Sequence, residues 1–113
     1  MMKKIEATIR SSKFEDVKEA LHTIELDYFT FYEVKGIGKE KTPSGFYRGA
    51  YYDTGSIPRI LLEIVVPEAR VNAVVDCIMK SARTGEIGDG KVFISPVEHV
   101  LRIRTGEANE AAL

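Results

Sequence analysis

The chain has 113 residues, 44% hydrophobic and 29% charged, the make-up of one globular domain whose core needs no disulfides. Its net charge of -1 removes the general attraction to nucleic acid or to an anionic membrane surface that a basic domain would have, and its lone Cys77 excludes a disulfide framework and a CxxC metal site. Charge appears at once in Lys3, Lys4 and Glu6, and no window approaches the roughly 18 apolar residues of a membrane span, so a secretory signal is not expected and the cytoplasm is the expected location.

Residues 4–10 alternate polar and apolar, which places Ile5, Ala7 and Ile9 on one face of a first strand. Ser12 with Glu15 three residues later forms a capping-box pattern and predicts a helix from about Lys13. Phe14, Val17, Leu21 and Ile24 then recur at helical spacing as its core-facing stripe. Residues 28–35, dense in aromatic and β-branched side chains, read as a second strand. Residues 59–66 read as a third, with Ile60, Leu62, Ile64 and Val66 alternating with Leu61, Glu63 and Val65. Pro67 cannot donate to a ladder and suits the start of a second helix, whose apolar face is Val71, Val74, Val75 and Ile78. Residues 92–94 read as a fourth strand and residues 100–103 as a further short one. The order is β-α-β-β-α-β, an α+β ferredoxin-like plan with two helices on one face of an antiparallel sheet, in a single domain spanning 1–113. No third helix is available for the opposite face, so self-association is expected to cover it.

Two loops stand out. The connection across 36–57 is roughly twenty residues long, a length that is usually functional or disordered in a small domain. Four aromatics in it, Phe46, Tyr47, Tyr51 and Tyr52, suit contact with another molecule better than simple linkage. The second loop, 84–91, carries Gly85, Gly88 and Gly90, whose freedom to adopt φ > 0 lets consecutive N–H groups form a concave anion-binding nest, beside the point charge of Lys91. The run from Gly85 to Lys91 begins a GxxxxGK pattern. Val92 then stands where magnesium would require Ser or Thr, and a strand follows where a helix is needed, so the loop is not a P-loop NTPase motif. Arg102 and Arg104, if extended, lie on one face about 7 Å apart, either as a clamp for a polyphosphate or as a solvated charge pair. No nucleophile with an adjacent base is recognisable, His22 and His99 lack metal-ligand spacing, and Cys77 reads as a small buried side chain. An enzyme and a metal site of its own are therefore not expected. The aromatic strand at 28–32 invites comparison with an RNA-binding domain, but the charge balance and the lack of an RNP1 pattern argue against one.

Together these pieces resemble the PII signal-transduction family, trimeric nitrogen-regulatory sensors. The resemblance runs from Lys3-Lys4-Ile5-Glu6-Ala7 through Glu33-Val34-Lys35-Gly36, Tyr47-Arg48-Gly49-Ala50 and Glu63-Ile64-Val65-Val66-Pro67. It continues to Ile87-Gly88-Asp89-Gly90-Lys91 and Arg102-Ile103-Arg104-Thr105-Gly106-Glu107. It implies a homotrimer with ATP and ADP competing for clefts between subunits. It makes the long connection a target-docking T-loop (about 36–57), the glycine loop a B-loop (about 83–91) and the last segment a C-loop (about 101–113). By resemblance, Gly88, Asp89, Gly90 and Lys91 hold phosphates from one side of the cleft, and Arg102 and Arg104 reach in from the neighbouring subunit. Thr30, Glu63 and Val65 lie near the adenosine, and Gly36, Gly38 and Lys39 at the T-loop base. Phe46, Tyr47, Arg48, Tyr51 and Tyr52 belong to the partner-binding part of the T-loop. Tyr52 matches a tyrosine that some members carry as a nucleotidylylation site. The partners implied are transporters or nitrogen-metabolism enzymes and regulators, with recruitment to the membrane only through a transporter and no direct lipid binding.

The departures fall in and beside the T-loop. Glu40 replaces the Gln that, in 2-oxoglutarate-sensing members, ligates the magnesium shared with ATP, and Arg59 replaces the Lys that pairs with the distal carboxylate. A Glu also ligates magnesium, but it adds a like charge beside a dicarboxylate and a triphosphate, at a cost on the order of 4 kcal/mol for one contact at about 4 Å and an effective dielectric of 20. The expectation is nucleotide binding with a weak or absent 2-oxoglutarate response. The alternative is a conventional 2-oxoglutarate-responsive regulator of an ammonium transporter, and a small nucleotide-handling enzyme ranks below both.

Overall fold

The computed structural model describes residues 1–36, the backbone of two short strands at 46–47 and 50–51, and residues 57–113. Six strands and two α-helices are described: β1 Met2–Arg10, α1 Phe14–Thr23, β2 Thr30–Val34, β3 Phe46–Tyr47, β4 Ala50–Tyr51, β5 Arg59–Pro67, α2 Val71–Ala82 and β6 Lys91–Val97. Strands β2, β5, β1 and β6 lie in that order in one antiparallel sheet, while β3 and β4 pair with each other and, among the described residues, with no other strand. The expected α+β ferredoxin-like architecture is therefore present, and the long connection carries the short antiparallel pair β3–β4.

Register follows from the alternation in the sequence. Ile5 lies opposite Ile64 on one side and Ile94 on the other, and Ala7 opposite Leu62 and Val92. These residues share the face covered by α1 and α2, where Ile5, Ala7, Leu62, Val17, Leu21 and Val74 are fully buried. Phe14, Phe29 and Phe31 form an aromatic cluster at the β2 edge, with the Phe14 and Phe31 centroids 4.6 Å apart. The opposite face is mixed in character. Lys4 lies 3.9 Å from both Glu6 and Glu63, Tyr32 donates to Glu63 at 2.9 Å, and Phe93 is 60% exposed. No helix among the described residues covers it.

Local starts and stops differ from the sequence reading: β1 begins already at Met2, and Pro67 closes β5 opposite Met2, with a 3-10 turn at Glu68–Arg70 before α2. The capping box is not used: a 3-10 turn, Ser11–Lys13, precedes α1, neither turn nor helix has a side-chain cap, and the Ser11 N–H donates instead to the Pro58 carbonyl at 3.0 Å. The second strand is shorter than residues 28–35, limited to Thr30–Val34, the stretch that pairs with Glu63 to Arg59 of β5. The last strand is longer than residues 92–94, since β1 offers it partners from Met2 to Thr8. Residues 100–103 are not a strand. Only the bridge Leu101–Ala108 is extended, and the Gly106 N–H returns to the Arg102 carbonyl at 2.7 Å, closing a tight turn. Arg102 and Arg104 consequently do not share a strand face. The same bonds, with a 3-10 turn at Asn109–Ala112, fold the acidic tail back on itself.

The end of α1 is a Schellman motif: the Leu26 N–H bonds the Leu21 carbonyl at 3.0 Å, the Glu25 N–H bonds the His22 carbonyl at 3.0 Å, and Leu26 is fully buried. Glu25 takes the left-handed position at φ 62°, where glycine is normally preferred. Glu25→Gly should therefore stabilise the fold, by roughly 0.5 kcal/mol once the added freedom of the unfolded chain is subtracted. Urea unfolding at fixed protein concentration checks this; a midpoint that falls would contradict it.

Candidate functional site

The glycine loop hangs between the end of α2 and the start of β6, and a single carboxylate closes it. Asp89 accepts from the Thr84 N–H at 2.9 Å, the Thr84 hydroxyl at 2.5 Å, the Gly85 N–H at 2.9 Å and Arg10 Nε at 3.0 Å. Burial pushes the Asp89 carboxyl up, but the bonds from Thr84, Arg10 and Gly85 outweigh it and hold the group well below the usual carboxylate range. Its side chain is thus turned into the loop.

Two arginines grip the loop from the sheet. Arg10 ends β1, Arg59 begins β5, and the two are directly opposite in register. Like charges so placed repel unless something lies between them. Here Gly88 does: a Cβ built on it would lie 3.1 Å from Arg59 Nη2 and 3.4 Å from Arg10 Nη2. Arg10 Nη2 donates to the Ile87 carbonyl at 2.8 Å, and Arg59 donates through Nη2 and Nε to the Gly88 carbonyl at 3.0 and 3.3 Å. Arg10 was not among the residues singled out from the sequence; the signal available was a second arginine in register with Arg59.

Gly90 shows why the loop cannot be written in other residues. Its φ is +102°, and an added Cβ would fall 1.7 Å from the Thr8 carbonyl oxygen, a backbone atom of β1. Lys91 follows as the first residue of β6, paired with Thr8, with an exposed ammonium that makes no ion pair among the described residues. Because β6 runs straight on from Lys91, the strand that ruled out a P-loop NTPase is present. An open cleft of about 490 Å³ borders the loop between α2 and β6, with Met79, Arg83, Lys91 and Phe93 in its walls.

The other sequence-derived positions fall into two groups. Thr30 and Glu63 are cross-strand partners on the open sheet face, with Val65 two residues further along that face. Arg102 lies on the C-terminal turn, where it donates to Glu107 at 3.1 Å and to the Leu113 oxygen at 2.9 Å. Arg104 is exposed and, among the described residues, makes no ion pair. Within the chain neither arginine bonds the glycine loop among the described residues. Gly36 is exposed just after β2, whereas Gly38, Lys39, Glu40, Arg48 and Tyr52 lie outside the described residues, as do the side chains of Phe46, Tyr47 and Tyr51. Cys77 packs partly buried against the core, which pushes its thiol up. His22 bonds Asp27 at 2.6 Å, which raises its pKa. No cluster of three metal-ligating side chains occurs among the described residues, and no described helix is long and apolar enough to cross a membrane.

Against known proteins, residues 2–107 match the family described as "Nitrogen regulatory protein P-II". The chain belongs to the PII family. It is 46% identical over 112 residues to the nitrogen regulatory protein P-II of Haemophilus influenzae, covering 99% of this chain and 100% of that one. It is 47% identical, with the same coverage, to nitrogen regulatory protein P-II 1 of Escherichia coli K12. A solved structure described as Arabidopsis thaliana PII bound to citrate superposes with a TM-score of 0.78 at 36% identity, over 99% of this chain and 92% of that one. The family is one of signalling regulators, so this PII protein is placed among regulatory proteins.

Two outcomes follow for the loop. Gly90→Ala should destabilise the protein more than Gly88→Ala, because the latter's Cβ meets only the side-chain ends of Ile57, Arg59 and Arg10. Thermal unfolding of both variants compares them; an equal or reversed order would contradict the close approach to Thr8. The Asp89 carboxyl should titrate well below its ordinary 3.8, its contribution to stability being complete above that value and lost only as the pH falls through the lower folded one. Carboxyl carbon NMR reads the midpoint directly, and a midpoint near 3.8 would mean that the four bonds are not made in solution.

Proposed function

We propose that this PII protein is a non-enzymatic sensor of adenine nucleotides that acts on a target protein. The observation that carries the reading is the pairing of an exposed ammonium, Lys91, with a glycine loop whose carbonyls at Ile87 and Gly88 are turned toward the sheet. Such a donor set fits the charge and geometry of a di- or triphosphate. In this reading Gly88, Asp89 and Gly90 present backbone N–H groups to the phosphates, and Lys91 adds charge. Thr30, Glu63 and Val65 face the adenosine, with Gly36, Gly38 and Lys39 at the base of the T-loop. Arg102 and Arg104, which do not reach the loop within one chain, close the cleft from the next subunit of a homotrimer, whose assembly also covers the mixed sheet face. The T-loop takes 36–57, the B-loop 83–91 and the C-loop 101–113. Differential affinity of ATP and ADP for two T-loop arrangements would supply the switching energy.

The 2-oxoglutarate response is proposed to be weak or absent. Arg59, the residue expected to meet the distal carboxylate, is only 7% exposed and donates twice to the Gly88 carbonyl. Recruiting it would leave that carbonyl unpaired in a partly buried site, which costs about 1–3 kcal/mol. Glu40 adds a like charge near the same ligand, and magnesium, which accompanies ATP, offsets part of it. The target, a membrane transporter or a metabolic enzyme or regulator, would be met through Phe46, Tyr47, Arg48, Tyr51 and Tyr52. Modification of Tyr52 and recruitment from the cytoplasm to a membrane partner are parts of the same proposal.

Isothermal titration calorimetry with ATP and ADP, each with magnesium, with and without 2-oxoglutarate, tests the reading. Micromolar binding of both nucleotides, unchanged by 2-oxoglutarate, is expected. ATP binding tightened by 2-oxoglutarate would instead make the protein a conventional nitrogen sensor, and no nucleotide binding would overturn the assignment of the loop.

A further inference from the structure

The two loop carbonyls that the arginines hold have a geometric consequence. A trans peptide is planar, with the N–H of one residue antiparallel to the carbonyl of the residue before it. The Ile87 carbonyl is drawn toward Arg10 and the Gly88 carbonyl toward Arg59. The Gly88 and Asp89 N–H groups must therefore point the opposite way, away from the sheet. Neither has a hydrogen-bond partner among the described residues. Two successive donors aimed outward, one on a residue at φ +102°, have the geometry of a backbone nest suited to an anion.

Arg10 contributes to this without facing the concavity itself. Its Nε is taken by Asp89 and its Nη2 by the Ile87 carbonyl, and its side chain is 18% exposed. Asp89 in turn fixes the other end of the loop through Thr84 and Gly85. One guanidinium thus connects the end of β1 to both the carboxylate that closes the loop and the carbonyl that orients it. Lysine, with a single nitrogen, cannot hold both partners in the same fork.

We infer that Arg10, acting through Asp89 and the Ile87 carbonyl, is a positioning residue for phosphate recognition: it aims the Gly88 and Asp89 N–H groups and does not touch the ligand. The inference rests on the nucleotide reading of the same loop. Because those donors meet the phosphate chain, loss of Arg10 weakens binding of ATP far more than that of AMP, which offers a single phosphate with the same nucleoside contacts. A role in overall stability alone would not discriminate in this way.

The test compares the wild type with Arg10→Gln and Arg10→Lys. Affinities for ATP and AMP are measured by calorimetry, and the Gly88 and Asp89 amide resonances are followed during titration with inorganic tripolyphosphate. ATP affinity is expected to fall by roughly tenfold or more in Arg10→Gln, as misplaced contact groups do. AMP affinity should change far less, and Arg10→Lys should lie between Arg10→Gln and the wild type. The wild-type amides of Gly88 and Asp89 should shift with tripolyphosphate, and those of Arg10→Gln should not at the same concentration. Wild-type ATP affinity in a folded Arg10→Gln, or equal losses for ATP and AMP, overturns the inference while leaving the nucleotide reading intact. If Arg10→Gln does not fold, the same criteria apply to Arg10→Lys. A wild type that binds neither ATP nor tripolyphosphate overturns both.

Discussion

Two arginines that face each other across β1 and β5 set the terms for the upper end of this molecule. A carboxylate and two backbone carbonyls brought between them offset their mutual repulsion. The glycine loop is the element that delivers those acceptors. Without the loop the two guanidiniums, in register, lose these acceptors; without the arginines the loop loses the contacts that orient its peptides. Charge compensation and loop conformation are therefore the same interaction seen from two sides.

The remainder of the fold places the loop in that position. Alternation along β1 and β5 puts Ile5, Ala7, Leu62 and Ile64 under the helices, and the same alternation sends Lys4, Glu6 and Glu63 to the open face. The two helices then span the sheet on one side, and α2 ends at Ala82, two residues before Thr84. From there the chain has seven residues to return to β6 at Lys91. Gly90, pressed against the Thr8 carbonyl, is what lets it enter the sheet beside β1 at that point.

Strong periodicity made much of this legible. The stripes Phe14, Val17, Leu21 and Val71, Val74, Ile78 and the alternation of residues 59–66 each recur in the core, because burial on one face leaves a repeating mark in the sequence. Local chemistry was a poorer guide. Ser12 and Glu15 have the spacing of a capping box, yet the chain enters α1 through a 3-10 turn tied to Pro58, a contact made across the sheet. Residues 100–103 have the composition of a strand but turn back at Gly106. In the site, glycine spacing identified the loop and Lys91. The direction of the Asp89 side chain and the part played by Arg10 depend on contacts across 79 positions of sequence, which no local pattern records. Conversely, Glu40, conspicuous as a departure from the family pattern, and Tyr52, which matches it, fall outside the described residues.

Strand β1 is paired along its length, with β5 from Met2 to Arg10 and with β6 from Met2 to Thr8. It is the interior strand through which the β6 edge is joined to β5 and β2. The glycine loop is fastened to the last residue of β1, to the first residue of β5 and, by its own continuation, to β6. Opening it therefore breaks contacts to the centre of the sheet, which a surface loop tied only to itself would not. Amide exchange at Gly85, whose N–H is held by Asp89, would then report on opening of the sheet as a whole. Occupancy of the loop by any ligand would accordingly be felt as global stability of the domain.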